Sequence, residues 1–110
     1  MNVLPCRLEG GAAYLGGERV EIERPPPGPL QAKRVEIGVR PEFVTLADKG
    51  LPVSIVRVSD AGRYRIVEAS HAQSRIKLLA DESVQIPAGS AFVRFDPAHT
   101  RLYADDHLVE

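Results

Sequence analysis

No segment of about 12 residues in this chain sustains a helical spacing of apolar side chains free of Gly and Pro. Apolar positions instead alternate over short stretches that recur every 8–12 residues or so, the pattern of a small sandwich or barrel. The 9 glycines and 9 prolines fall mainly at the breaks between these stretches. A length of 110 residues accommodates one ordinary domain or two very small ones sharing a core. The fold class that follows is all-β, built of short antiparallel strands.

The clearest local signal lies near the start. Ala12 to Leu15 and Glu18 to Ile22 flank Gly16-Gly17, a two-residue hairpin signature. With that loop, Leu15 faces Glu18 and Ala13 faces Val20. Side chains alternate along a strand, so Ala13, Leu15, Val20 and Ile22 share one face. Tyr14, Arg19, Glu21 and Glu23 share the other. Arg24-Pro25-Pro26-Pro27-Gly28-Pro29 then opens a stiff connector over 24–34, because proline has no N–H to give to a ladder.

Beyond the connector, Val35 to Val39 reads as a half-buried strand stopped by Pro41, and Phe43 to Leu46 as a short strand. Asp48-Lys49-Gly50 is a turn. Val53 to Val58 is apolar on both faces apart from Ser54 and Arg57, as expected of a strand central in its sheet. Asp60-Ala61-Gly62 forms the next turn, with Gly62 supplying a positive φ. Arg63 to Ala69 and Ser74 to Ala80 make a hairpin connected near 70–73. Ile86 to Ser90 turns into Ala91 to Phe95, and Asp96 to His99 turns into a last strand, Thr100 to Tyr103.

Composition narrows the function. With 14 basic and 15 acidic residues the formal net charge is -1, which gives no long-range pull toward nucleic acid or anionic membrane. No apolar run approaches the ~20 residues of a membrane-spanning helix. Aromatic residues are 5% and Trp is absent, which argues against a stacking platform for single strands or glycans. The lone Cys6 forms no internal disulfide.

A resemblance emerges at Ile37-Gly38-Val39-Arg40-Pro41-Glu42-Phe43. This run is similar to the GIRPEH segment in the C-terminal domain of carbohydrate-importer ATPases of the maltose-importer type, with Phe43 in place of the usual His. That domain is the transport-associated OB (TOBE) domain. Met1 to Pro5 resembles the MNFLPG that opens the same region, with Cys6 where Gly is common. Asp60 and Gly62 fall near the acidic residue and glycine of the family's E-x-x-G element. Phe95-Asp96-Pro97 resembles its F-D-P, and Leu102 to Asp105 its closing LFD. The order and spacing of these segments cover nearly the whole chain.

The resemblance implies OB-like small barrels acting as a regulatory and dimer-contact module. It implies a parent ATPase subunit of an ABC transporter importing sugars or related small solutes, cytoplasmic and peripheral at the inner face of the cell membrane. That subunit would pair with a second copy, dock on permease subunits and receive a regulatory protein. The chain contains no G-x-x-x-x-G-K-[ST] and no Gly-Lys pair. ATP and Mg are therefore expected only on an ATPase domain preceding Met1, and no enzyme activity, cofactor or metal is expected of this chain itself.

The residues singled out are Arg40, Pro41, Glu42, Gly62, Asp96 and Pro97, all as structural motif positions. Arg40-Pro41-Glu42 is read as a strand end fixed by Pro41, with a partner contact as the functional alternative. Asp105-Asp106-His107 is read as a solvated tail, since three adjacent residues of an extended strand cannot converge on one ion. Cys6 has only Arg7 near it in sequence to activate a thiolate. Arg63, Arg65, Arg75 and Lys77 could make a basic strip, interrupted by Glu68, Asp81 and Glu82. Two rival functions stand beside the importer reading. One is an oxyanion-binding domain of the molybdate type, whose Ser-Ala-Arg-Asn opening is missing here. The other is a nucleic-acid-binding OB-fold, disfavoured by charge and aromatic content.

Overall fold

A computed structural model describes residues 1–9, 12–22, 34–105 and 107–108. Among them the regular elements are strands and two single 3-10 turns, as the sequence pattern requires. The strands are β1 (Asn2–Pro5), β2 (Arg7–Glu9), β3 (Ala12–Leu15), β4 (Glu18–Val20), β5 (Val35–Val39), β6 (Val44–Ala47), β7 (Leu51–Asp60), β8 (Tyr64–His71), β9 (Ser74–Asp81), β10 (Ser90–Phe95), β11 (Arg101–Ala104) and β12 (His107–Leu108). Every pairing is antiparallel. The strands form three sheets, ordered β2-β3-β4, β1-β5-β11-β12 and β6-β10-β7-β8-β9. No helix among the described residues is long and apolar enough to cross a membrane.

The Gly-Gly hairpin has the expected register, with Leu15 opposite Glu18 and Ala13 opposite Val20. Ala13, Leu15, Val20 and Ile22 are buried, whereas Arg19 and Glu21 are exposed. They join one continuous apolar cluster with Leu4, Ile37 and Val39, with Val53, Val67 and Ile76, and with Phe95 and Leu102. All three sheets therefore bury side chains in the same core.

β7 is the middle strand of the five, as its apolar character predicts. Its two neighbours flank different parts of it: β10 pairs with Leu51 to Ser54, and β8 pairs with it from Ser54 to Asp60. A bulge between Ile55 and Arg57 interrupts the pairing with β8. Val56 in the bulge and Val58 beyond it are 46% and 41% exposed. The edge strands β6 and β9 approach within 8 Å Cα to Cα, so the sheet curls. It stops short of closure, since no ladder joins β6 to β9 among the described residues.

Several boundaries differ from the sequence pattern. β1 and β2 carry too few residues to show a period, yet both form. β1 is an edge strand, where Pro5 is tolerated. The β8–β9 connection is only Ala72-Gln73, because His71 still pairs with Ser74 and Ala72 takes a positive φ of 53°. The strand expected over Thr100 to Tyr103 is Arg101–Ala104, one residue later, and a further strand, β12, returns against it. Asp105 turns that corner with φ 48° and is tied to Arg34. Its N–H donates to the Arg34 carbonyl (2.8 Å) and its Oδ1 accepts from the Arg34 N–H (2.9 Å). Of the Pro-rich connector expected over 24–34, only Arg34 lies within the described residues.

Candidate functional site

Two short proline turns meet at one end of the core. The first follows β5. Arg40 is extended (φ -76°, ψ 150°), as a residue before proline prefers. Pro41 has no N–H for the ladder, and the chain makes one 3-10 turn over Pro41–Phe43. The Phe43 N–H donates to the Arg40 carbonyl at 2.9 Å, and the buried Val44 then starts β6.

The second turn follows β10. Asp96 caps it, accepting at Oδ1 from the Ala98 N–H (3.1 Å). Its Oδ2 lies 3.0 Å from Nδ1 of His99, and its carbonyl accepts from the hydroxyl of the fully buried Thr100 (2.8 Å). Pro97 occupies the first helical position, where its missing N–H costs nothing.

The turns are joined directly. The Asp96 N–H donates to the Phe43 carbonyl at 3.0 Å. The Phe43 and His99 rings stack with centroids 3.7 Å apart and planes within 4°. Five of the six singled-out residues, Arg40, Pro41, Glu42, Asp96 and Pro97, thus belong to one locality.

Gly62 does not belong to it. It sits at the tip of the β7–β8 hairpin with φ +92°, its N–H donating to Asp60 Oδ1 at 2.9 Å. Nothing lies within 4 Å of where its Cβ would be, so its role there is conformational.

Beside the joined turns lies a cleft of about 360 Å³. Arg40, Glu42, Phe43 and His99 form one part of its wall, and Met1, Gly38, Arg101 and Tyr103 the other. Gly38 makes room for the Tyr103 ring, because a Cβ there would stand 2.6 Å from its Cε2. Sequence reading placed Arg40 and Glu42 at a site but missed His99, Tyr103 and Gly38. The strand alternation that sets Gly38 on the face opposite Ile37 and Val39 was the available signal. It could not show that Tyr103 folds over that glycine.

The other candidates separate in space. Arg65 turns away from Lys77, and its Nη2 donates to the carbonyls of Asp81, Glu82 and Val84, clamping the turn after β9. Arg57 and Lys77 both pair with Glu68, at 3.4 and 3.7 Å. Two members of the expected basic strip, Arg65 and Lys77, are thus engaged with different partners. His71 lies in β8 and not in a connection, with Nδ1 2.9 Å from the Pro52 carbonyl. Burial, with Glu36 adding repulsion, pushes the half-buried Cys6 thiol up to about 11, the wrong direction for a nucleophile.

The chain matches no model of a known protein family, and no curated protein is significantly similar to it in sequence.

Proposed function

We propose that this chain is a TOBE-like regulatory and dimer-contact domain of the ATP-binding subunit of an ABC importer for sugars or related small solutes. The observation that carries this reading is the junction of the two proline turns. The two segments that most resemble the family, Val39 to Phe43 and Phe95 to Pro97, lie more than fifty residues apart in sequence. They pack against each other through the Asp96 N–H to Phe43 carbonyl bond and the Phe43–His99 stack. Segments that resemble one family's motifs only by chance have no reason to share a site. The curled five-stranded antiparallel sheet is in keeping with an OB-like module.

In this reading the domain leaves nucleotide chemistry to the ATPase domain of its parent and contributes contacts. The exposed Arg40 and Glu42 beside the turns would serve a partner, and the buried Thr100 and Val44 hold the turns rigid. The coding sequence immediately upstream of Met1 tests the proposal. An open frame encoding Gly-x-x-x-x-Gly-Lys-Ser/Thr is the expected finding. An in-frame stop codon just before Met1 would overturn it.

A further inference from the structure

The outer face of the five-stranded sheet gathers charge that the whole-chain balance hides. Strand alternation puts Arg57, Glu68, Arg75, Lys77, Asp81 and Arg94 on the side opposite the buried Val67, Ile76, Leu78 and Val93. Four cations and two carboxylates give this face two net positive charges, on a chain whose total is -1. Contacts within the face do not use up the excess. Arg57 and Lys77 share the single carboxylate of Glu68, at 3.4 and 3.7 Å. Arg75 and Arg94 are exposed and have no ion-pair or hydrogen-bond partner among the described residues. Asp81 lies at the far end, opposite Tyr64, and its Oδ1 accepts from the Ser83 N–H and hydroxyl.

The face has two unlike ends. At one, Arg57, Arg75 and Lys77 adjoin Glu68 on three neighbouring strands. At the other, Phe92 is 42% exposed and stands opposite Ala47 and Pro52. Between them one rung of the sheet runs from Ser90 through Ser54 and Ser70 to Arg75. With strands ~4.8 Å apart and ~6.8 Å for every two residues, Phe92 lies roughly 15 Å from Arg57 and Arg75. An extended chain covers that distance in about five residues.

We propose that this face docks an acidic segment of a partner protein, with an apolar side chain on Phe92 and carboxylates about five residues along over the cations. Charge complementarity selects the partner, and the unpartnered guanidinium of Arg75 offers a fork matched to a carboxylate. Phe92 with Pro52 and Ala47 supplies the apolar anchor that such an interface needs. A nucleic-acid strand is disfavoured, because the face offers no run of aromatic side chains for its bases. A dimer formed over Phe92 would cover the same end, so a second copy and a partner segment compete. Docking here does not depend on the importer assignment, so either can fail without the other.

The test is a titration of the 15N-labelled 110-residue chain, followed by amide shifts at low salt. The probe is a synthetic peptide with one leucine, a spacer of four glycine and serine residues, and two glutamates. Saturable shifts centred on Phe92, Ser54, Ser70 and Arg75 are expected. Glutamine in place of both glutamates, or glycine in place of the leucine, should each weaken binding about fivefold or more. Arg75→Ala and Phe92→Ala should do the same while keeping the dispersed spectrum, since both residues are exposed. Arg19→Ala, on the separate β2-β3-β4 sheet, should bind the probe as wild type does. Shifts that do not saturate, a glutamine peptide that binds as tightly, or a folded Arg75→Ala chain that binds as before would each overturn the proposal. So would an oligothymidylate or phosphatidylglycerol vesicles that moved the same amides at lower concentration.

Discussion

The side-chain amide of Asn2 pairs with both main-chain groups of Lys77. Its Nδ2 donates to the Lys77 carbonyl at 2.7 Å, and its Oδ1 accepts from the Lys77 N–H at 2.8 Å. Asn2 is only 6% exposed, so the amide acts as a one-residue strand that joins β1 to the free edge of β9. Asn2→Ala would leave a partly buried N–H and C=O of Lys77 unsatisfied. A loss of about 2–4 kcal/mol is expected for the two bonds together. Asn2→Asp keeps the acceptor but loses the donor and buries a charge, and should destabilise the fold no less. Urea unfolding of both variants checks this, and an unchanged midpoint for Asn2→Ala would show that the bridge contributes nothing.

Gly50 and Gly62 separate two reasons for glycine. Gly62 has φ +92° with open space around its missing Cβ, so a side chain there meets only backbone strain. Gly50 has φ +145°, and a Cβ would stand 2.3 Å from the Val93 carbonyl oxygen of the neighbouring strand. Gly62→Val should cost roughly 1–3 kcal/mol. Gly50→Ala, although the smaller side chain, should cost at least as much, because the sheet must open to admit it. Denaturant midpoints for the pair decide it, and Gly50→Ala behaving as wild type would contradict the strand packing.

The strand framework was legible where a turn signal and a clean alternation coincided. Gly16-Gly17 fixed the register of β3 and β4, and the apolar Val53 to Val58 marked the central strand. β1 and β2 were not legible, because four and three residues are too few to show a period. β1 is held largely by pairing with β5 and by the Asn2 bridge, both long-range in sequence. The candidate site was half legible. Arg40-Pro41-Glu42 and Asp96-Pro97 announce themselves as proline turns. That Phe43 would stack on His99 depends on how two distant turns pack, which no local pattern records. Tyr103 and Gly38 escaped for the same reason.

Cys6 should be a slow thiol. Its pKa is pushed up to about 11 from 9.0, chiefly by burial and then by the negative charge of Glu36. At pH 9 an ordinary thiol is about half ionised, whereas one with this pKa is about 1% ionised. Iodoacetamide should therefore label native chain on the order of fifty times more slowly than urea-unfolded chain at that pH. The linkage has a definite sign. A thiol whose pKa is higher folded than unfolded gives stability that is complete below pH 9 and is lost as pH rises toward 11. Equal labelling rates in the folded and unfolded chain would show that Cys6 is not shielded.

Self-association should be real but weak. A two-fold contact uses one patch twice, so this chain alone suffices to form it. Aromatic side chains commonly anchor such contacts, and the structure shows which remain available. Phe95 lies in the core, Phe43 is stacked on His99, and Tyr14 lies beneath the Arg7 guanidinium, 5.6 Å from its ring centroid. Tyr103 folds over Gly38. Tyr64 and Phe92 are left, 41% and 42% exposed. Phe92 stands opposite Ala47 and Pro52 on the outer face of the five-stranded sheet, which gives a small apolar patch. Two such anchors are in keeping with an interface of roughly 1,000 Å² or less and a transient dimer. If the proposed function holds, tethering to ATPase domains would raise the effective concentration enough to make such a contact adequate. Sedimentation over a range of micromolar concentrations should show a monomer–dimer equilibrium that Phe92→Asp shifts to monomer. A strictly monomeric species at several hundred micromolar would remove the dimer-contact part of the proposed function.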